Sequence, residues 1–147
     1  MDPEVLATFH DSFHRCKAVP GFFDSFYKKL LSSSDEVREK FADTDFERQK
    51  RVLRNSFYLL MLAAQDKENG PEEYLEDIAI RHDAEHLDVA PHLYSLWLEC
   101  LLHTVQETDP NYSAEVEEAW RELMNVGVLY LISQYRRPSR NGTASAV

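Results

Sequence analysis

A chain of 147 residues with 26 acidic and 16 basic side chains, a net charge of −10, has the length of one domain, able to bury about 70 % of its unfolded surface and enclose a pocket. That charge argues against nucleic acid and against an anionic membrane surface, both of which would repel it. The longest purely apolar run, Phe57–Ala64, falls far short of the roughly 20 residues that span a bilayer, and the opening Met1-Asp2-Pro3-Glu4 is no basic-then-apolar leader, so a cytoplasmic protein is expected.

In chain order, Asp2-Pro3 reads as an N-cap with proline at the first helical position. It opens a helix to about Cys16 with Val5, Phe9, Phe13 and Cys16 on its apolar face. Pro20-Gly21 breaks the chain, and a second helix carries Phe22, Phe23, Phe26, Tyr27, Leu30 and Leu31. A short helical turn runs from Ser34 to about Phe41. Thr44 and Glu47 stand at capping-box spacing and open a long helix to about Gln65. Its inner stripe is Phe46, Gln49, Leu53, Phe57, Leu60, Met61 and Ala64. From Phe57 onwards the helix is apolar nearly all round, which predicts a place deep in the core.

Asn69-Gly70-Pro71 closes a polar loop and starts the helix-like run Pro71–Ala84. Val89-Ala90-Pro91 starts the next, with Leu93, Tyr94, Trp97, Leu101 and Val105 on one side. After the break at Asp109-Pro110, Ser113 caps the last helix, whose stripe is Val116, Trp120, Leu123, Gly127, Tyr130 and Gln134. A mid-helix glycine is about 1 kcal/mol worse than alanine, so Gly127 signals a close helix or ligand contact. No segment shows a strand period. The reading is all-α, one domain over residues 1–135 and a disordered tail, basic then small and polar, over 136–147. Cys16 and Cys100 lie far apart without CxxC spacing and read as reduced, half-buried thiols. Asn141-Gly142-Thr143 fits the glycosylation pattern and is expected to be idle.

One histidine stands out. In the run Pro71–Ala84, Tyr74, Leu75, Ile78 and His82 recur at three- and four-residue spacing, so a helix aligns Leu75, Ile78 and His82 on one apolar stripe. A buried imidazole needs a partner, because an unpaired polar group costs roughly 1–3 kcal/mol. A carbonyl or carboxylate is the commoner partner of a helical histidine; haem iron is another. His10, His14, His92 and His103 have no comparable setting and read as surface or helix-end residues.

Several motifs in order carry a resemblance. Phe26-Tyr27-Lys28-Lys29-Leu30-Leu31, followed by Val37-Arg38-Glu39-Lys40-Phe41, resembles the second and third helices of bacterial haemoglobins. Arg48-Gln49-Lys50-Arg51-Val52-Leu53 is similar to the distal helix of bacterial single-domain globins and of the globin domain of flavohaemoglobins. Ile78-Ala79-Ile80-Arg81-His82, then Leu87-Asp88-Val89 and Pro91 and Tyr94, resembles the proximal helix and the opening of its successor. The resemblance spans roughly residues 4–135. It implies a globin fold of about seven helices, a three-over-three sandwich around haem b. His82 would ligate the iron, Tyr27 and Gln49 would offer distal hydrogen-bond donors, Leu53 would wall the ligand and Phe41 would close the corner over the haem. Phe57, Ile78, Val89, Tyr94 and Trp97 are expected around the haem, although Tyr94 and Trp97, like Leu101 and Leu123, are equally readable as pocket or core.

The chain also departs from those relatives. Between Phe41 and Gln49 it is shorter, and between His82 and Val89 it is longer, which leaves His86 as a rival ligand. His82 is preferred because Leu75 and Ile78 precede it on its own face. Flavohaemoglobins set a glutamate of the last helix against the proximal histidine; counting from Trp120, Tyr135 takes that place. No reductase domain is read in the chain, so any reductase would be a separate partner. Two donors above ferrous iron imply tight O₂ binding with slow release. Oxygen binding, storage or transport is the first expectation. A nitric oxide dioxygenase served by a separate reductase comes second, a haem gas sensor (for O₂, NO or CO) acting through a partner protein third, and a haem-free interaction module last.

Overall fold

All the helices but one begin where the sequence supplies a side-chain acceptor or a proline; the second, Phe22–Ser33, starts after Gly21, in a left-handed turn (φ 85) and without a side-chain cap. Among residues 1–136, which the computed structural model describes, there are seven helices and no strand. They are α1 (Pro3–Lys17), α2 (Phe22–Ser33), α3 (Asp35–Lys40), α4 (Phe46–Gln65), α5 (Gly70–His82), α6 (Pro91–Thr108) and α7 (Ala114–Ser133). The expected tail lies, beyond Arg136, outside the described residues. The Asp2 carboxylate accepts the Glu4 amide at 2.7 Å, Ser34 Oγ accepts the Val37 amide and Ser113 Oγ accepts the Val116 amide at 3.2 Å. Helices α5 and α6 have no side-chain cap and rely on Pro71 and Pro91, whose fixed φ suits a first turn.

The cap of α4 corrects the capping-box reading. Asp45, not Thr44, is the N-cap, and one of its carboxylate oxygens takes the Glu47 and Arg48 amides at 3.1 and 3.3 Å. A carboxylate there satisfies two orphan donors and meets the positive end of the helix dipole, which a threonine hydroxyl cannot match.

Helix α7 runs through the middle, packing against α1, α4, α5 and α6, while α2 lies on α6 and α4 on α5. At its centre is an aromatic cluster from three helices. Phe9 stands edge-on to Trp120 with ring centres 4.7 Å apart, and Phe13 stands edge-on to Phe57 at 5.2 Å. Behind this cluster is a polar knot. Trp120 Nε1 donates to Ser12 Oγ at 2.9 Å, and Ser12 Oγ donates to Asp109 Oδ2 at 2.6 Å. Arg15 grips both Asp109 oxygens at 2.6 and 2.9 Å, and the Asn111 amide adds another bond. Ser12 and Asp109 are buried, and this shared bonding is what makes the burial of a hydroxyl and a carboxylate tolerable.

Two expectations about burial are revised. The second half of α4 is not enclosed all round, since Tyr58 is 38 % and Leu62 46 % exposed. The Lys17 ammonium lies 5.0 Å over the Tyr58 ring and bonds its hydroxyl, so that side of the helix is finished by a surface contact rather than by core. Of the thiols, Cys100 is half-buried, but Cys16 is fully buried, and burial pushes it up to about 12. At Gly127 a Cβ would stand 2.6 Å from Leu60 Cδ2, so the Leu60 side chain of α4 packs directly on the bare backbone of α7 there. No helix of the described residues is long and apolar enough to cross a membrane.

Candidate functional site

Farther along the same face of α7 that carries Trp120, a cavity of about 350 Å³ opens among α2 to α7. Helix α2 contributes Tyr27 to its wall, the end of α3 contributes Phe41, and α4 contributes Gln49 and Leu53. Ile78 and His82 come from α5, Val89 from the segment after it, and Tyr94 and Trp97 from α6. Phe57 is not on this wall. Leu53, Ser56 and Leu60 give one face of α4 to the cavity, and Phe57 falls on the next face, against Phe9, Phe13 and Trp120. Leu101 and Leu123 are fully buried core, away from the cavity wall.

His82 is the last residue of α5. Its Nδ1 lies 2.7 Å from the Ile78 carbonyl one turn earlier. A carbonyl only accepts, so Nδ1 carries the hydrogen and the neutral ring presents Nε2 as a lone pair. Among the described residues that nitrogen has no protein partner. Burial lowers the imidazole below its ordinary value of 6.5, and Arg81 adds to this while the Ile78 bond opposes it. The ring is therefore held neutral and in one tautomer, the condition for donating an electron pair to a metal. His86 lies past the helix end, exposed, with Nδ1 2.7 Å from Asp83 and no place on the wall.

Tyr27 is 5 % exposed, edge-on to Phe41 and Phe46 with ring centres 5.8 and 5.4 Å away. Burial pushes its hydroxyl up to about 12, opposed by a hydrogen bond with the Gln49 side chain. The two polar groups thus sit together in an otherwise aromatic and aliphatic corner. Lys40 and Arg81 bring positive charge to the wall, and Lys40 Nζ donates across to the Leu87 carbonyl at 2.9 Å. Those two cations and Ser56 were not anticipated from the sequence. Lys40 lay inside a recognised motif, beside Phe41, and its position there was the available signal. Tyr135 does not reach the cavity; it bonds the segment after His82, through Ala84 and Asp88.

Residues 24–130 match the globin family. The chain belongs to that family. The globin is also similar, at 37 % identity and a TM-score of 0.83, to a solved protein from Pseudomonas aeruginosa described as structurally highly homologous to a human haemoglobin. That match covers 89 % of this chain and 98 % of the other. No curated protein matches it. The seven helices are those of the three-over-three globin fold, which makes this a haem-binding protein. Its own donor set fits that group. No cluster of three or more His, Cys, Asp or Glu that could hold a bare ion exists among the described residues. A single free imidazole nitrogen in an apolar cavity suits a metal whose remaining ligands come with it, as in a porphyrin.

Proposed function

We propose that this globin binds O₂, and other diatomic gases such as CO and NO, with haem b seated in the α2–α7 cavity and His82 as its proximal ligand. The observation that carries the reading is the unpaired Nε2 of His82, in a neutral ring locked by Ile78, sharing one apolar cavity with the Tyr27–Gln49 pair. When bound, ferrous haem supplies the position at which a gas is held. The Ile78 carbonyl keeps the His82 ring from turning and sharpens its basicity. Tyr27 and Gln49 place donors where a ligand with partial negative charge gains from them, and the dry surroundings strengthen each bond. Phe41, Leu53 and Leu60 exclude water, and Lys40 and Arg81 bring to the wall positive charge that would attract the carboxylates of a porphyrin.

Absorption spectra of the haem-loaded protein, ferrous and then under O₂ and CO, test this beside His82→Ala and His86→Ala. A haem band that shifts with each gas, collapses in His82→Ala and survives in His86→Ala supports it. A band that survives the loss of His82 overturns it. The paired donors favour a second reading, in which NO, O₂ and one electron from a separate reductase give nitrate; absence of nitrate on mixing NO with the ferrous protein under O₂ would exclude it.

A further inference from the structure

Immediately after His82 the chain turns through residues 83–90 into α6, and this segment is fastened to itself and to its surroundings. The Val89 amide returns to the His82 carbonyl at 3.1 Å, the Leu87 amide to Arg81 at 2.9 Å and the Asp88 amide to Asp83 at 2.9 Å. Asp88 takes a left-handed backbone, φ 53, which an aspartate tolerates at some cost and which has to be held in place. The holding comes from past the end of α7. Tyr135 accepts the Ala84 amide on its carbonyl at 2.9 Å and donates its phenol hydrogen to the Asp88 carboxylate. From α3, the Lys40 ammonium donates to the Leu87 carbonyl.

These contacts surround the one residue whose ring must point correctly. Ala84 lies just past His82, and Asp88 immediately precedes the residue whose amide returns to the His82 carbonyl. We propose that Tyr135 is a positioning residue for His82: by pinning Ala84 and Asp88 it sets where α5 ends and so how the imidazole enters the cavity. Tyr135 does not line the cavity; the bonds through which it would act on the imidazole are those to the segment after His82. The inference rests on His82 as the haem ligand. A residue that merely tethered the chain end would alter stability and leave the imidazole untouched.

Tyr135→Phe removes the phenol hydrogen bond and keeps the carbonyl bond to Ala84; Asp88→Ala removes the other half of the same contact. In isotope-labelled protein without haem, each variant is expected to shift the His82 ring resonances. With ferrous haem bound, each is expected to shift the iron–imidazole stretching band and to speed haem release about fivefold, the equivalent of one hydrogen bond. The double variant should be no worse than either single one, and Asp88→Asn, which keeps an acceptor, should stay near the unmodified protein. Unchanged ring resonances and stretching band in Tyr135→Phe overturn the proposal, as do effects of Tyr135→Phe and Asp88→Ala that simply add. Faster amide exchange over Ala84–Val89 with no change at His82 overturns it too, leaving a tether. If the unmodified protein shows no haem band dependent on His82, the functional reading fails on its own, and the ring resonances still decide the role of Tyr135.

Discussion

Replacing Gly127 by alanine sets two effects against each other. Alanine favours the middle of a helix over glycine by about 1 kcal/mol, so α7 gains. Against this, the new Cβ would stand 2.6 Å from Leu60 Cδ2, and one of the two must move. The obstructing atom is the tip of a flexible side chain, and Leu60 borders the cavity, so its methyl can swing into that space. Without haem, the variant is therefore expected to unfold within about 1 kcal/mol of the parent. The same swing takes volume from a cavity of about 350 Å³ that the porphyrin has to share. Overpacking of that kind costs roughly 1–3 kcal/mol, which is about 5- to 150-fold in haem affinity. Denaturant unfolding of the haem-free protein, paired with haem release into an excess of a tighter scavenger, separates the two. A haem-free loss above about 3 kcal/mol would mean that backbone, not Leu60, absorbs the clash. Unchanged haem affinity would refute the idea that Leu60 moves into the cavity.

Three further outcomes are expected. Tyr27→Phe should speed O₂ release about 5- to 10-fold, one neutral hydrogen bond, as read by stopped-flow mixing; an unchanged rate would remove Tyr27 from the ligand's surroundings. Asp109 is pushed up by burial but held below its ordinary value of 3.8 by Arg15, Ser12 and the Asn111 amide. Its contribution is thus present above that value and lost as pH falls through the lower folded one. Asp109→Asn should cost about 2 kcal/mol near neutrality, with the gap to the parent closing below about pH 4; a gap independent of pH would contradict this. Phe57→Ala should cost about 3–5 kcal/mol while leaving the haem spectrum alone, because Phe57 packs on Phe9, Phe13 and Trp120 and not on the cavity; a shifted spectrum would place it there after all.

Much of the fold could be read from the chain because its punctuation is chemical. Pro3, Pro71, Pro91 and Ser113 mark helix starts by what they can and cannot hydrogen-bond, and the structure starts helices there. The inward face of α5 was legible for the same reason: Leu75, Ile78 and His82 repeat at helical spacing, and Ile78 and His82 reach the wall. What spacing cannot assign is the division of a wide apolar stripe between two neighbours. Leu53, Phe57 and Leu60 share one stripe of α4, yet Leu53 and Leu60 face the cavity and Phe57 the aromatic cluster. Nor does a local pattern show partners from distant helices. Ser12 interrupts the apolar face of α1 and Asp109 resembles a helix breaker; only their meeting across 97 positions makes them a buried pair. In the sequence Lys40 and Arg81 are indistinguishable from solvated surface, as a long cation at a helix end usually is, whereas in the fold both also border a cavity.

That meeting of Ser12, Asp109 and Trp120 also bears on how chains like this one can diverge. Removing the carboxylate alone leaves a buried hydroxyl short of its acceptor and Arg15 without its anion, and removing Ser12 alone strands the Trp120 nitrogen. Exchanging the whole group for apolar residues of equal volume can be nearly neutral. The two solutions are therefore separated by intermediates worse than either, and relatives are expected to carry the polar set complete or to lack it altogether. One-step variants should be rare among them.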